Sequence, residues 1–231
     1  MSIYRVGTGI FDITDPAIGL GMMGFSKEDQ KTRGVESPLY ARAFIIEDQQ
    51  REKRVAFVCV DLWSCTQAIK QAVVEHLKSF ANGVYTNENL LISGTHTHSG
   101  PGGYSHYYLY NYSMVDNLDH RISGFDVHNF ECILYGIVRS IVRAHNNLAP
   151  GKIYINKGIL ADCGRQRSAP AYYNNPDDEI AQYTNDTDQE MLLLKFVKLE
   201  GVTERPIGML NWYAIHATGR GQRNAIVCGD N

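Results

Sequence analysis

The sequence predicts an α/β fold, a mixed layered sheet flanked by helices. Short apolar runs rich in Val, Ile and Phe alternate with two longer segments whose apolar residues recur every three or four positions. Neither an internal repeat nor a low-complexity linker divides this mixture. The 231 residues are 44% hydrophobic and 20% charged, an ordinary globular balance that suits one layered domain with its site at strand ends.

Residues 3–13 alternate weakly and read as a strand ending near Asp12, after which Asp15-Pro16 opens a loop. Gly19, Gly21 and Gly24 bracket Met22-Met23. That segment reads as flexible or tightly turning, either a surface loop or an apolar lip on a pocket. Residues 39–47 and 54–61 read as neighbouring strands across the polar turn 48–53. The second is almost continuously apolar, as in a strand covered on both faces. Cys59 within it reads as a small buried hydrophobe. Asp61 closes the strand, either as a capping charge or as a group serving a site.

Residues 64–80 predict a helix, with Ile69, Val73, Leu77 and Phe80 on one stripe. Ser64 or Thr66 can cap its start, and Asn82-Gly83 stops it. Residues 89–93 form a short strand leading into a loop with two histidines. Beyond it, Tyr104, Tyr107, Tyr108, Tyr110 and Tyr112 crowd around His106 without a regular period. This predicts a long loop, either packed on the surface or walling a groove for a partly apolar ligand.

Residues 126–148 give the strongest helix, with Phe130, Ile133, Leu134, Ile137, Ile141 and His145 in register. His145 at its C-terminal end reads as a satisfied, partly buried histidine. A strand over 152–160, a loop over 164–176 and a solvated acidic loop over 177–190 follow. Strands over 190–198 and 207–215 complete the order, the last one ending at His216.

A net charge of -3 without a basic patch gives no electrostatic case for nucleic acid. No apolar run is long enough to span a bilayer. The N-terminus as written lacks the charged and apolar regions of a secretory leader. Five cysteines, an odd number without Cys-x-x-Cys spacing, argue against a disulfide framework and against a cysteine zinc site.

The chemistry concentrates in Gly94-Thr95-His96-Thr97-His98-Ser99-Gly100-Pro101-Gly102-Gly103-Tyr104. In an extended chain, residues i and i+2 face one side, so His96 and His98 can reach one small volume. The glycines that follow let the backbone turn and approach a ligand closely. His216 also lies where a strand gives way to a loop. Two or three imidazoles with one open position for water are what a zinc hydrolase requires. On residue types alone, all three histidines are candidate ligands. Arg167, between Pro- and Asn-rich flanks, is a candidate for carrying developing negative charge or a plain surface arginine.

These blocks resemble the neutral, non-lysosomal ceramidase family. The resemblance covers almost the whole chain. It runs through Gly21-Met22-Met23-Gly24, Arg42-Ala43-Phe44, the histidine loop, Gly124-Phe125-Asp126 and residues 144–151. It continues through Arg167-Ser168, Ala171-Tyr172, Asn175-Pro176, Asn211-Trp212-Tyr213-Ala214-Ile215-His216 and Gly229-Asp230-Asn231. The resemblance implies hydrolysis of the ceramide amide bond to sphingosine and a fatty acid with one zinc ion. It implies that His96 and His216 are zinc ligands, that His98 is an active-site neighbour and that Arg167 is the active-site arginine. It further implies ceramide or a related lipid amide as partner, often outside cells or at a membrane surface.

Family members continue beyond the Gly-Asp-Asn block, where the resemblance puts the serine nucleophile, a glutamate ligand and a tyrosine ligand. Residues 1–231 are therefore expected to be the N-terminal portion of a zinc amidase domain, an incomplete catalytic domain with no nucleophile of its own. Two departures stand inside the chain. His216-Ala217-Thr218 replaces the family's His-Gly-Thr, and Gln166 stands where Asn is usual. The alternatives are a catalytically incomplete metal- or lipid-binding remnant and a zinc hydrolase for another acyl amide.

Overall fold

In the computed structural model of the chain, the described residues are 4–16, 18–107, 110, 124–216 and 218–229. In chain order the elements begin with β1 (Tyr4–Asp12), β2 (Met22–Met23), β3 (Gly34–Val35), β4 (Tyr40–Asp48), β5 (Lys53–Val60) and helix α1 (Gln67–Leu77). There follow β6 (Leu90–Gly94), β7 (Gly100–Pro101), α2 (Val127–Asn146), β8 (Ala149–Ile159), and the one-turn helices α3 (Ala169–Tyr172) and α4 (Asp177–Ile180). The last are β9 (Glu190–Glu200), β10 (Thr203–Trp212) and β11 (Ile226–Val227). The mixture of strands and helices is the α/β class that the sequence predicts. The chain divides into two compact units, one of residues Met1–Pro150 with Ala217–Asn231 and one of Gly151–His216.

The first unit is built on β1, β4, β5 and β6. β1 runs antiparallel to β4 and β4 antiparallel to β5, while β5 and β6 are parallel, so this sheet is mixed. The parallel step needs a crossover, and α1 supplies it. Thr66 Oγ1 accepts the Ile69 N–H at 3.3 Å and starts that helix, and Ile69, Val73 and Leu77 are its buried stripe. Asp126 caps α2 by accepting the Asn129 N–H at 2.7 Å. Its buried face carries Ile133, Leu134, Ile137, Ile141 and Ala144. α2 lies across β1 and β4, and it comes so near that a Cβ on Gly9 would sit 2.2 Å from the Ser140 carbonyl oxygen. The core between helices and sheet includes Val58, Val60, Leu39, Ile45 and Leu90, all nearly inaccessible. His145 accepts the Tyr85 hydroxyl on Nδ1 at 2.7 Å, which makes it the satisfied, partly buried histidine its position predicts.

The second unit is an antiparallel ladder of β8, β9 and β10. Several of its strand boundaries differ from the sequence expectations. β8 begins at Ala149, three residues before 152. β10 runs from Thr203 to Trp212, whereas hydropathy placed it at 207–215. Its polar start is recruited by the partner strand: Thr203 faces Glu200, and the Arg205 Nε donates to Glu200 at 2.8 Å. The expected loops over 164–176 and 177–190 each contain a helical turn. Pro170 near the start of α3 and the acidic first turn of α4, Asp177, Asp178 and Glu179, favour those turns locally. Among the described residues no helix is long and apolar enough to cross a membrane.

Candidate functional site

The histidine loop grows from the C-terminal end of β6, where Gly94 stands beside Val60 of β5. The hydrogen bonding does not stop with the strand. Thr95 N–H donates to the Val60 carbonyl at 2.8 Å and His96 N–H to the Leu62 carbonyl at 3.0 Å. His96 then adopts φ +66°, a left-handed conformation uncommon for a residue with a Cβ. The two histidines do converge, with ring centroids 5.0 Å apart and planes at 73°. They do so across a kink at His96, not along the extended segment that the i, i+2 spacing assumes.

The orientation of His96 is fixed by its neighbours. Its Nδ1 lies 2.8 Å from the Trp63 carbonyl oxygen. A carbonyl only accepts, so Nδ1 carries the proton and Nε2 of the neutral ring carries the lone pair. This is the arrangement by which a backbone carbonyl orients an imidazole for a metal. The Trp63 ring also packs on His96 at 5.5 Å. The backbone beside Trp63 is held in turn by Tyr104. Its hydroxyl accepts the Ser64 N–H at 3.3 Å and donates to the Ser64 carbonyl at 3.1 Å.

Tyr104 is completely buried, and burial pushes its phenol far above the usual range. It is therefore a structural strut, not a groove wall. Tyr107 and Tyr110 are exposed, and the Tyr110 ring lies 5.1 Å from that of Trp63. Tyr108 and Tyr112 fall outside the described residues.

His98 is buried. The Phe25 ring meets it edge to face at 4.6 Å. Gly24, at φ +135°, leaves the space that its ring fills, since a Cβ there would lie 2.4 Å from His98 Cγ. The preceding Met22 and Met23 form β2, paired with Pro101 and Gly100 of β7 and almost wholly buried. They are not a surface loop; strand pairing with the histidine loop itself draws them inside. Asp61 resolves in the same direction. It accepts the Tyr40 N–H at 2.8 Å and pairs with Arg42 at 2.7 Å, which makes it an anchor for the end of β5.

Arg167 and His216 belong to the second unit. Gln166 staples the chain around Arg167, its Nε2 donating to the Asp186 carbonyl at 2.9 Å and its Oε1 accepting the Ser168 N–H at 2.9 Å. His216 follows β10 as the last residue of that unit. The approach to it is pinned by Tyr213, whose hydroxyl donates to the Leu160 carbonyl at 2.9 Å. Three residues that the sequence reading did not single out shape the site: Trp63, Thr97 and Gly24 in its role against His98. Only the glycine, flanking two methionines, carried a visible signal.

The model of the neutral/alkaline non-lysosomal ceramidase N-terminal region matches residues 4–231. The chain belongs to this ceramidase family. It is 44% identical over 230 residues to a protein named neutral ceramidase from Oryza sativa subsp. japonica, covering all of this chain and 28% of that one. It is 39% identical over 228 residues to neutral ceramidase from Pseudomonas aeruginosa, covering 99% of this chain and 32% of that protein. The crystal structure of neutral ceramidase from Pseudomonas aeruginosa superposes with a TM-score of 0.90 at 38% identity, over all of this chain and 35% of that chain. The chain thus spans about a third of the length of these ceramidases.

The donor chemistry suits zinc. Imidazole nitrogens are ordinary zinc ligands, and His96 presents a lone pair already oriented from behind by a carbonyl.

Proposed function

We propose that residues 1–231 form the N-terminal part of a zinc-dependent amidase domain that hydrolyses ceramide to sphingosine and a fatty acid. The observation that carries this reading is the His96 imidazole, whose Nδ1 donates to the Trp63 carbonyl and so places the ring's lone pair on Nε2, the atom that would bind a metal. Membership of the ceramidase family supports the substrate class. His96 and His216 are the zinc ligands of this proposal. Zinc, when bound, supplies Lewis acidity that polarises an acyl carbonyl and acidifies a water molecule.

The chain's own residues do the rest. Trp63 and Tyr104 hold the His96 ring in one orientation. His98, packed between Gly24 and Phe25, offers an imidazole that holds or moves a proton beside the metal ligand. The Arg167 guanidinium stabilises negative charge developing on the acyl oxygen. No nucleophile is assigned within these residues. Ceramide is a membrane lipid, so the complete protein meets its substrate at a membrane surface.

A chimera tests this reading. The chain replaces the matching region of the Pseudomonas aeruginosa ceramidase, and fatty-acid release from ceramide is followed. The chimera is expected to cleave ceramide and to lose roughly a hundredfold or more of that activity on His96→Ala. A folded chimera that cleaves other acyl amides but not ceramide would replace the substrate assignment. Equal activity with and without His96 would remove the metal mechanism.

A further inference from the structure

Thr97 stands between the two histidines and is completely buried. Its Oγ1 donates to the Cys228 carbonyl at 3.2 Å and accepts the Ser99 N–H at 3.1 Å. The segment carrying Cys228 returns the contact. Cys228 N–H donates to the Ser99 carbonyl at 3.0 Å, and Asn224 Nδ2 donates to Ser99 Oγ at 3.1 Å. That segment is itself secured, since Ile226 and Val227 run parallel to Gly34 and Val35, and Gly229 N–H donates to Ser37 Oγ at 3.2 Å. A stretch 131 residues away in sequence is thus bonded to the residue between the histidines.

The need for such an anchor lies in His96. A left-handed residue with a Cβ persists only where its surroundings over-determine it. Bonds to Val60, Leu62 and Trp63 fix the backbone up to His96. The Thr97 hydroxyl fixes the next residue.

We propose that Thr97 is a positioning residue: its hydroxyl, through Cys228 and Ser99, sets the backbone rotation of His96-Thr97-His98 and so the direction of both imidazoles. This rests on the reading of His96 as a metal ligand and His98 as its neighbour.

Nitrogen-15 spectra of the histidine rings in the full metal-free chain, followed by zinc titration, test it. Thr97→Val keeps the side-chain shape and removes the hydroxyl; Thr97→Ser keeps the hydroxyl. The wild-type chain and Thr97→Ser should hold His96 in the Nδ1–H tautomer. Thr97→Val should lose that bias and bind zinc about 10- to 100-fold more weakly. A Thr97→Val chain that keeps both the tautomer bias and the zinc affinity overturns the proposal. Should Thr97→Val fail to fold, Thr97→Ala removes the same hydroxyl with less bulk, and an unshifted tautomer bias there overturns the proposal equally. A wild-type chain that binds no zinc, while Thr97→Val still scrambles the tautomer, leaves Thr97 as the positioning residue and removes the zinc reading alone.

Discussion

Nδ1 of His96 donates to the carbonyl oxygen of Trp63 at 2.8 Å, and the backbone beside that carbonyl is gripped on both sides of Ser64 by the Tyr104 hydroxyl. The loop that begins with the histidines therefore closes on the peptide that orients the first of them. Tyr104→Phe removes only an oxygen from a buried ring. It should lower unfolding free energy by about 1 kcal/mol, because the partly buried N–H and C=O of Ser64 lose their partner. Zinc affinity should fall about tenfold through the loosened Trp63 carbonyl. Urea unfolding and zinc titration on the same preparation check both, and unchanged zinc affinity would separate Tyr104 from the site.

Gly24→Ala should disturb His98 from the opposite side. The added carbon meets Cγ of the imidazole at 2.4 Å, on a backbone at φ +135° that resists any side chain. A loss of about 1–3 kcal/mol in stability is expected from strain alone. The ring signals of His98 should shift while those of His76, on the exposed side of α1, stay in place. The two nuclei observed together distinguish a local displacement from general loosening.

Asp61→Ala tests the anchor at the end of β5. The carboxylate is almost inaccessible, whereas the Arg42 side chain is 37% exposed. Breaking a wholly buried pair costs about 3–5 kcal/mol, and the partial hydration of Arg42 reduces the expectation to about 2–3 kcal/mol. Denaturant midpoints of the wild type and the variant measure it. A change below about 0.5 kcal/mol, the scale of surface substitutions, would show that Asp61 anchors nothing.

His145 gives a pH signature. Burial, and next the Arg54 guanidinium beside it, hold its pKa below the ordinary histidine value. Its Nδ1 accepts from both Tyr85 and Arg54, so the neutral ring is the one that fits. The unfolded chain binds a proton more readily than the folded one. The neutral ring's contribution is therefore complete above pH about 6.5 and is lost as pH falls from there through the folded value. Glu47, facing the same cluster, is buried, which would raise its pKa, but its pairs with Arg54 and Arg5 outweigh burial and lower it. Its own contribution is lost only at more acidic pH. Melting temperatures between pH 8 and 5 should fall more steeply for the wild type than for His145→Gln. Parallel curves would mean that His145 does not titrate differently on folding.

The two long helices, α1 and α2, were legible because each presents a stripe at helical spacing, as Ile69, Val73 and Leu77 do behind the Thr66 cap. The long strands of the first unit were legible, β1 by its weak alternation and β4 and β5 by their apolar runs. The start of β10 was not, since its polar residues are held by register with β9. β2, β3, β7 and β11 have two residues each and no pattern of their own; they exist because distant segments pair. In the site, His96 and His98 were visible by spacing. The kink at His96, the carbonyl of Trp63 and the reach of Thr97 to Cys228 were not, because a hydrogen bond across 131 residues leaves no local trace.

Zinc affinity of the purified chain, measured by competition with a chromophoric chelator for the wild type and for His96→Ala, His216→Ala and His98→Ala, is the most direct test of the metal assignment. Loss of a ligand should weaken binding at least tenfold in His96→Ala and His216→Ala, and His98→Ala should stay within about threefold of the wild type. Zinc bound by His96→Ala as tightly as by the wild type would contradict the assignment of His96 as a ligand.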